Sequence, residues 1–292
     1  MLKNKIVSLI LTSYNCKENI SRTLQSIEMQ DYSNIEVIIV DGMSIDGTVD
    51  VIKAYAKNTK YRCQWVSEKD HGIYDAMNKG LKLANGDIIA FFNDLFLIPN
   101  AVTLMVERMV CDGTDGVHAD LIYATDEKVK RYWKMGNGVI KDGWMPGHPT
   151  LYLKKEIYEK YGAYNSDYRC SADYEFMIRI LKDGNVKLSY VPITILRMYY
   201  GGTSTGSLGS YTVSIREAHQ ALKSNGVKYA GLIDVKRTIK VMMQFMRAIQ
   251  YKGKINEEYQ EKGVAKKMEV ENNLAEQSRA EQSRAEQSRA EQ

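Results

Sequence analysis

The segment IEVIIVDGMSIDGT, residues 35–48, decides the fold class of this chain, because it joins a buried strand to a polar loop. The run IEVIIV is apolar apart from Glu36 and rich in β-branched residues, and Asp41 follows it with Gly, Ser, Asp and Gly. Two more short apolar runs occupy residues 6–11 and 88–92. Continuous apolar strands of this kind are buried on both faces, as in parallel sheets.

Helical patterns alternate with these strands. Ile20, Leu24 and Ile27 share one face between the first two strands, and similar spacings follow the second strand and precede the third. Alternation of strands and helices is typical of βαβ units, whose crossovers are right-handed. The sequence therefore predicts an α/β fold in which helices cover both faces of a Rossmann-like, mostly parallel central sheet.

Three polar loops follow the three predicted strands, at residues 12–15, 41–48 and 93–94. Ligands of such sheets bind beyond the carboxyl ends of the strands, so we expect these loops to surround one crevice. Small residues in the second loop let a ligand approach the backbone closely, and Asp41 can accept a hydrogen bond from a nucleobase. An ordinary turn that caps the next helix explains this loop equally well by itself. No G-x-G-x-x-G or G-x-x-x-x-G-K-[ST] motif occurs, which argues against a dinucleotide-binding fold and a P-loop.

The second half of the predicted domain carries different signals. Residues 123–133 have the pattern of a polar hairpin, and helices are predicted around residues 154–161 and 171–184. Asp173 and Glu175 lie near the start of the second helix, where the helix N-terminus favours an ionised carboxylate. Asp173 therefore suits a catalytic base, and it suits a helix cap as well.

From residue 211 onward the pattern is helical, and within it residues 235–251 are amphipathic. One face carries five large apolar residues: Val235, Ile239, Met242, Met246 and Ile249. Lysines and arginines occupy another face, and no acid occurs between Asp234 and Glu257. Two interpretations stay open: the helix lies on an anionic membrane, or it packs on its own domain with its basic face in solvent.

Composition limits the remaining function classes. The chain is 44% apolar and 26% charged, as in globular proteins, and its formal charge of +4 is too small to indicate a nucleic-acid partner. No run of about 18 apolar residues could span a bilayer, and the first residues lack the pattern of a signal peptide. The four cysteines show no C-x-x-C spacing, so we expect scattered buried thiols in the cytoplasm. The final AEQSR repeats cannot build a core.

Seven segments together resemble one protein family. They are VSLILTSYN, VIIVDGMSIDGT, SEKDHGIYDAMNKG, GDIIAFFN, MPGHPTLYLKKEIYEKYG, SADYEFMIRI and GGTST. In this order they resemble a family 2 glycosyltransferase with the GT-A fold, of the kind that builds bacterial surface polysaccharides, over roughly residues 5–205. The third segment, MPGHPTL and the Gly-Gly-x-Ser loop are similar to those of colanic-acid-type transferases.

The resemblance implies a role for each matching residue. Six residues would bind the donor: Thr12, Tyr14, Asp41, Asp70, Asn78 and Asn93. The first three would hold the nucleobase, with Asp41 pairing to uracil, and Asp70 and Asn78 would line the ribose and diphosphate side. Asp173 matches the catalytic base, although Ala172 stands where many members carry Glu. Three residues would lie on the acceptor side: His148, Glu175 and Gly202.

The metal-binding loop departs from the family pattern. Members of the family usually have a sequence similar to F-L-N-S-D-D here. This chain has FFNDLF instead and is two residues shorter between Asn93 and Pro99. Asp94 matches the last Asp of that pattern, the residue that usually contacts the metal. The resemblance therefore implies Mn²⁺ or Mg²⁺ bound at Asp94, in a shortened loop with one acid left.

These observations give an expected organisation and function. We expect a donor-binding half at residues 1–110, an acceptor and catalytic half of the same GT-A domain at 111–210, a helical extension at 211–268 and a repeat tail at 269–292. The resemblance implies inverting transfer of a hexose from a UDP-sugar to a saccharide or lipid-linked oligosaccharide, in the cytoplasm or peripherally at the inner membrane face. The alternative is an impaired GT-A protein that acts as a nucleotide- or glycan-binding scaffold. A nucleotidyltransferase would need a Gly-rich basic phosphate loop, and TSYNCKEN is not one.

Overall fold

The predicted alternation of strands and helices is present. The computed structural model describes residues 5–199 and 208–251, all of them in one compact unit, Met1–Gly253. The strands are β1 (Val7–Ser13), β2 (Ile35–Asp41), β3 (Arg62–Ser67), β4 (Ile88–Phe91), β5 (Leu95–Phe96), β6 (Gly116–Ala124), β7 (Val129–Trp133), β8 (Tyr152–Lys154) and β9 (Leu188–Tyr199). The helices are α1 (Lys17–Glu28), α2 (Thr48–Asn58), α3 (Ile73–Leu83), α4 (Ala101–Asp112), α5 (Lys155–Tyr161), α6 (Ala172–Leu181), α7 (Leu208–Ser224) and α8 (Ala230–Gln250).

The first four strands form the parallel part of the sheet. They lie in the order β3-β2-β1-β4, and β1, β2 and β4 are buried along almost their whole length. Complete burial explains why the sequence of these three strands is continuously apolar. Strand β3, which the sequence analysis did not predict, forms the edge of the sheet, and its residues are only partly buried. All three predicted strands therefore lie together at the centre of this half.

The second half of the chain extends the same sheet with mixed strand directions. The order continues β4-β8-β6-β9-β5, in which β8 is antiparallel to β4 and to β6, and β6 is parallel to β9. Strands β6 and β7 form the predicted hairpin. Strand β5, from the first half of the chain, pairs with β9 from the second. Both halves thus share one sheet and one core.

The C-terminal helices pack against the second half of the chain, α7 against α6 and α8 against the hairpin strand β7. Helix α8 packs against β7 and against the turn that ends at Gly143. Gly143 has φ +67, and a Cβ there would lie 2.6 Å from the backbone nitrogen of Arg237, so only glycine permits this approach. No helix among residues 5–199 and 208–251 is long and apolar enough to cross a membrane.

The orientation of α8 differs from the packed interpretation of the sequence. Five predicted apolar-face residues are each more than half exposed: Val235, Ile239, Met242, Met246 and Ile249. The cations Arg237, Lys240 and Arg247 instead line the cleft described below. These three cations thus face the cleft, while Ala230 and Ile233 at the start of the helix pack into the core of the domain. The expected tail at 269–292 and residues 252–268 lie outside the described residues.

Candidate active site

A cleft of about 860 Å³ opens beyond the carboxyl ends of the parallel strands. Seven sequence-predicted site residues line it: Thr12, Tyr14, Asp70, Asn93, Asp94, His148 and Asp173. Three others, Asp41, Asn78 and Glu175, do not line it, and Gly202 lies outside the described residues. Most of the predicted site is thus brought together by the strand order, as expected for a sheet of this topology.

Asn93 joins the ends of the two central strands. Its side-chain Oδ1 accepts a hydrogen bond from the Thr12 backbone N–H at 2.8 Å, and its Nδ2 donates to Thr12 Oγ1 at 2.9 Å. Both residues line the cleft. Their side chains therefore fix the floor of the cleft where β1 and β4 end.

Asp41 lies at the end of β2 with no exposed surface. Its carboxylate accepts hydrogen bonds from the hydroxyls of Ser13, Ser44 and Ser67 and from the Ser44 backbone N–H. A carboxylate offers about four acceptor positions, and all four are in use. An N–H of a nucleobase reaches Asp41 only if one of these serine donors releases it. Pairing of Asp41 with uracil stays a prediction.

Asp70 and Asn78 have different surroundings. Asp70 lines the cleft, and its Oδ1 accepts a hydrogen bond from the Gly72 backbone N–H at 3.0 Å. Gly42 makes room for it, because a Cβ at Gly42 would lie 2.5 Å from Asp70 Oδ2. Asn78 instead donates to the Tyr164 carbonyl at 2.8 Å and accepts from the Tyr164 N–H at 3.0 Å. The side chain of Asn78 therefore binds the backbone of Tyr164 and does not line the cleft, and its assignment to the donor pocket stays a prediction.

Asp94, the predicted metal ligand, lines the cleft but is only 6% exposed. Burial raises the pKa of Asp94 to about 7, and one weak hydrogen bond from the Tyr199 N–H at 3.4 Å opposes this shift. No group of three or more His, Cys, Asp or Glu side chains that could hold a metal occurs within the described ranges. Mg²⁺ is often bound by one or two carboxylates together with substrate phosphates. The residues fit a cation shared with a bound diphosphate, and they do not fit one held by protein ligands alone.

Asp173 lies in the first turn of α6 and faces the cleft from the second half of the chain. The Tyr74 hydroxyl, on α3, donates a hydrogen bond to Asp173 Oδ1 at 2.9 Å. Burial and the neighbouring Asp173 charge raise the pKa of Tyr74 well above its usual range, so this hydroxyl stays a donor. Tyr74 thus holds one carboxylate oxygen and leaves the other for a substrate. Tyr74 was not predicted as a site residue from the sequence, although the segment SEKDHGIYDAMNKG contains it.

His148 lies near Asp173 in an aromatic cluster. Its Nε2 is 2.7 Å from the Tyr164 hydroxyl, and its ring stacks on Phe91 at 5.5 Å between centroids. Burial lowers the pKa of His148, and the charge of Asp173 partly offsets the shift. A neutral imidazole therefore lines the cleft beside the carboxylate.

Glu175 is a structural residue. It is 7% exposed, and its carboxylate accepts hydrogen bonds from Arg179 Nη2 at 2.7 Å, Arg179 Nε at 3.1 Å and Asn225 Nδ2 at 3.1 Å. It does not line the cleft. The helical spacing from Asp173 to Glu175 turns the two side chains in different directions, and the assignment of Glu175 to the acceptor side stays a prediction.

One wall of the cleft is basic, and sequence reasoning did not predict it. Six cations line the cleft: Arg131, Lys134, Arg169, Arg237, Lys240 and Arg247. Five of them come from β7, the residue after it, and α8, and only Arg237 has a carboxylate within 4.0 Å in the part of the chain that the structure describes. Arg131 also stacks on the rings of Tyr123 and Trp133. The sequence signal for this wall is the acid-free basic run in α8. The sequence does not show which way this face of the helix points.

Comparison with known proteins agrees with this geometry. The model of the Glycosyl transferase family 2 matches residues 8–172, which is more than half of the chain. The chain belongs to glycosyl transferase family 2. The match spans the first strand through the start of α6, and so includes most of the cleft-lining positions.

Two glycosyltransferases of other organisms are similar in sequence to this family 2 glycosyltransferase. A PGL/p-HBAD biosynthesis glycosyltransferase of Mycobacterium bovis is 27% identical over 202 residues, which are 68% of this chain and 78% of the relative. A dolichyl N-acetyl-alpha-D-glucosaminyl phosphate 3-beta-D-2,3-diacetamido-2,3-dideoxy-beta-D-glucuronosyltransferase of Methanococcus voltae is 28% identical over 233 residues, 71% of each chain.

Solved structures show that the fold is of the GT-A type. S. aureus TarS 1–349 in complex with UDP-GlcNAc has a TM-score of 0.63 at 16% identity, covering 86% of this chain and 76% of TarS 1–349. The mannosyltransferase PcManGT from Pyrobaculum calidifontis, in complex with GDP-Man and Mn²⁺, has a TM-score of 0.59 at 18% identity, covering 93% and 80%. The predicted fold class is confirmed.

Proposed function

We propose that this protein is an inverting glycosyltransferase that moves a hexose from a UDP-sugar to a saccharide acceptor. The observation that carries the proposal is the position of Asp173, whose carboxylate faces the same cleft as Asp70 and Asp94. An acid at the start of α6 and the loop at the end of β4 thus line the same cleft. Complexes of TarS with UDP and with UDP-GlcNAc support a uridine nucleotide.

The proposed reaction has one step. The acceptor hydroxyl attacks the anomeric carbon of the donor sugar, and Asp173 accepts the hydroxyl proton as the new C–O bond forms. The bond from the anomeric carbon to the phosphate oxygen breaks, and UDP leaves with both electrons. Tyr74 orients Asp173 through its 2.9 Å hydrogen bond, and Thr12, Tyr14 and Asn93 form the donor side.

A divalent cation at Asp94 would neutralise charge on the diphosphate leaving group. We propose Mn²⁺ or Mg²⁺, since both favour oxygen ligands. The solved structure of PcManGT, which shares this fold, is a complex with GDP-Man and Mn²⁺. A bound cation would also keep the Asp94 carboxylate ionised despite its burial, because a nearby positive charge favours the charged form.

We propose a lipid-linked saccharide as the acceptor, in surface polysaccharide assembly at the cytoplasmic side of the membrane. The Methanococcus voltae relative is named for a dolichyl phosphate-linked substrate. The basic wall of β7 and α8 suits such an acceptor, because its cations would lie beside the linking phosphate. Colanic-acid-type chemistry remains a proposal that rests on the sequence resemblance.

Calorimetric titration of UDP into the protein, with and without Mn²⁺, tests donor binding first. We expect the cation to strengthen binding tenfold or more, which corresponds to about 1.4 kcal/mol of coupling. Turnover is then measured on a panel of UDP-hexoses with Asp173→Asn, which should lower kcat by about 10² to 10⁴ and leave UDP affinity unchanged. Asp167→Asn is the matched control, since Asp167 is exposed and lies outside the cleft.

The second candidate is a nucleotide- or glycan-binding scaffold without turnover. The observation that favours it is the shortened loop, whose single acid, Asp94, is almost completely buried. UDP binding that ignores Mn²⁺, together with no functional change in Asp173→Asn, would support the scaffold. A protein that shows no UDP binding and no turnover with any UDP-sugar would refute the proposed transferase and a scaffold that binds UDP.

A further inference from the structure

Helix α8 carries an apolar stripe that faces away from the protein. Six large side chains are each more than half exposed: Leu232, Val235, Ile239, Met242, Met246 and Ile249. They follow one another at spacings of three and four residues, so they form one continuous line along the helix. At 1.5 Å per residue this line is about 26 Å long. Contiguous exposed apolar surface of this kind marks an interaction site.

The opposite side of α8 is fixed to the domain, so the stripe cannot simply rotate inward. Ile233 and Gln244 are buried, and Arg131 Nε donates to Gln244 Oε1. The Arg237 guanidinium lies 4.6 Å from the centroid of the Tyr174 ring, and Arg247 Nη1 donates to the Lys134 carbonyl at 3.2 Å. These polar and aromatic contacts determine which face of the helix points outward.

We propose that the outer face of α8 docks on the interfacial region of an anionic lipid bilayer. A helix that lies in the interface buries one apolar face among lipid headgroups and places cations beside it. The stripe supplies the apolar face, and no described helix is able to span the membrane instead. This proposal concerns binding and does not depend on glycosyl transfer.

The charge around α8 favours anionic lipid as the occupant. Four exposed lysines lie on the helix or near its ends and contacts: Lys141 in the turn that ends at Gly143, Lys228 two residues before α8, and Lys134 and Lys240, which line the cleft. Two nearby acids are already paired, Asp142 with Lys236 at 3.1 Å and Asp234 with His219 at 2.6 Å. Each cation close to an anionic surface strengthens binding about fivefold.

A second copy of the chain fits this face less well. A two-fold contact brings the same surface of both copies together, so the cations beside one stripe would face the cations beside the other. Like charges in such a contact oppose association. An anionic bilayer reverses this effect, since the same cations then attract it.

Docking in this orientation would bring the cleft close to the lipid surface. Arg237, Lys240 and Arg247 line the cleft from the side of α8 that lies opposite the stripe. A helix with its side chains is about 10–12 Å across, so the basic wall would lie about one helix diameter from the headgroups. An acceptor anchored in that bilayer would then enter the cleft past these cations.

Vesicle flotation of the full chain tests the proposal. We expect binding to vesicles of phosphatidylcholine with phosphatidylglycerol, and much weaker binding to phosphatidylcholine alone or at high salt. Met242→Asp should lower the partition coefficient about tenfold or more, and Ile239→Asp with Met242→Asp about a hundredfold, because each buried apolar side chain contributes a factor of this size. Val110→Asp, an exposed apolar position on α4, is the matched control and should bind as the parent does.

Three results would overturn the proposal. One is equal vesicle binding by the parent and the double variant. Another is no vesicle binding, together with a dimer that the double variant converts to a monomer, which would assign the stripe to a second copy. The last is no vesicle binding by a monomeric parent, which would leave the stripe to residues 252–292. Circular dichroism of each variant reports folding, and calorimetric UDP binding separates these results from failure of the proposed function.

Discussion

Replacing His118 with Phe should change how stability depends on pH. His118 lies on β6 with no exposed surface, stacked on Tyr190 at 5.2 Å and edge-on to Trp144 at 5.4 Å between ring centroids. Neither ring nitrogen has a hydrogen-bond partner among residues 5–199 and 208–251. Burial therefore lowers the pKa of His118 to about 4, and the imidazole is neutral in the folded protein.

The sign and size of the pH dependence of the free energy of unfolding follow from this pKa. An unfolded histidine has a pKa of about 6.5, so below that pH the unfolded chain binds a proton that the folded protein excludes. The contribution of His118 to the free energy of unfolding is intact above pH 6.5 and is lost as the pH falls toward 4. Between pH 7 and pH 5 the loss is about 2 kcal/mol, and it approaches about 3 kcal/mol near pH 4.

Urea unfolding of the parent and of His118→Phe at pH 7 and pH 5 measures the effect. Phe keeps a planar aromatic ring and removes two unpaired polar atoms, so the variant should be about 1 kcal/mol more stable at pH 7. From pH 7 to pH 5 the parent should lose about 2 kcal/mol more than the variant, because other titrating groups cancel in the difference. His71→Gln, at an exposed position, should behave as the parent does. Equal losses in the parent and His118→Phe would refute a buried neutral imidazole.

Two further predictions concern residues around Asp173. Tyr74→Phe should lower kcat about ten- to a hundredfold with KM and UDP affinity unchanged, because it removes the hydrogen bond that orients the base. Steady-state kinetics measures kcat and KM, and calorimetry measures UDP affinity. A change in KM alone would contradict this prediction. Glu175→Gln should lower the free energy of unfolding by about 2 kcal/mol, since it leaves the partly buried Arg179 without its ion pair. Its kcat, measured well below the unfolding temperature, should match that of the parent, and a selective loss of activity would return Glu175 to the acceptor site.

The central strands were predictable because burial on both faces leaves a strong signal in sequence. Strands β1, β2 and β4 are continuously apolar for that reason, and their loops meet because parallel strands share one carboxyl edge. Strand β3 lies at the edge of the sheet, where Arg62 and Trp65 are exposed, so its sequence lacks the apolar run. Within the parallel half of the sheet, the sequence signal of a strand is therefore weakest at the edge.

The site residues were predictable to the extent that position along the chain fixes position in space. Thr12, Asn93 and Asp173 line the cleft because each ends a strand or begins a helix at its edge. Asn78 and Glu175 lie within motifs of the same family, yet their side chains bond to Tyr164 and Arg179. A motif locates a residue on an element, whereas the partner of its side chain depends on contacts between distant elements. Tyr74 was missed for the same reason.

Helix α8 shows the limit of periodicity as a guide to packing. The spacing of its apolar and basic residues predicts two faces correctly, but it does not say which face contacts the domain. Burial of apolar surface, at about 25 cal/mol per Å² removed from water, would favour packing of the stripe against the domain. The domain instead presents Arg131, Tyr174 and the backbone at Gly143, which accept the polar side of the helix. The apolar side of α8 therefore faces solvent, and its burial elsewhere would still lower the free energy. A lipid surface can bury it, and an anionic one also attracts the nearby cations.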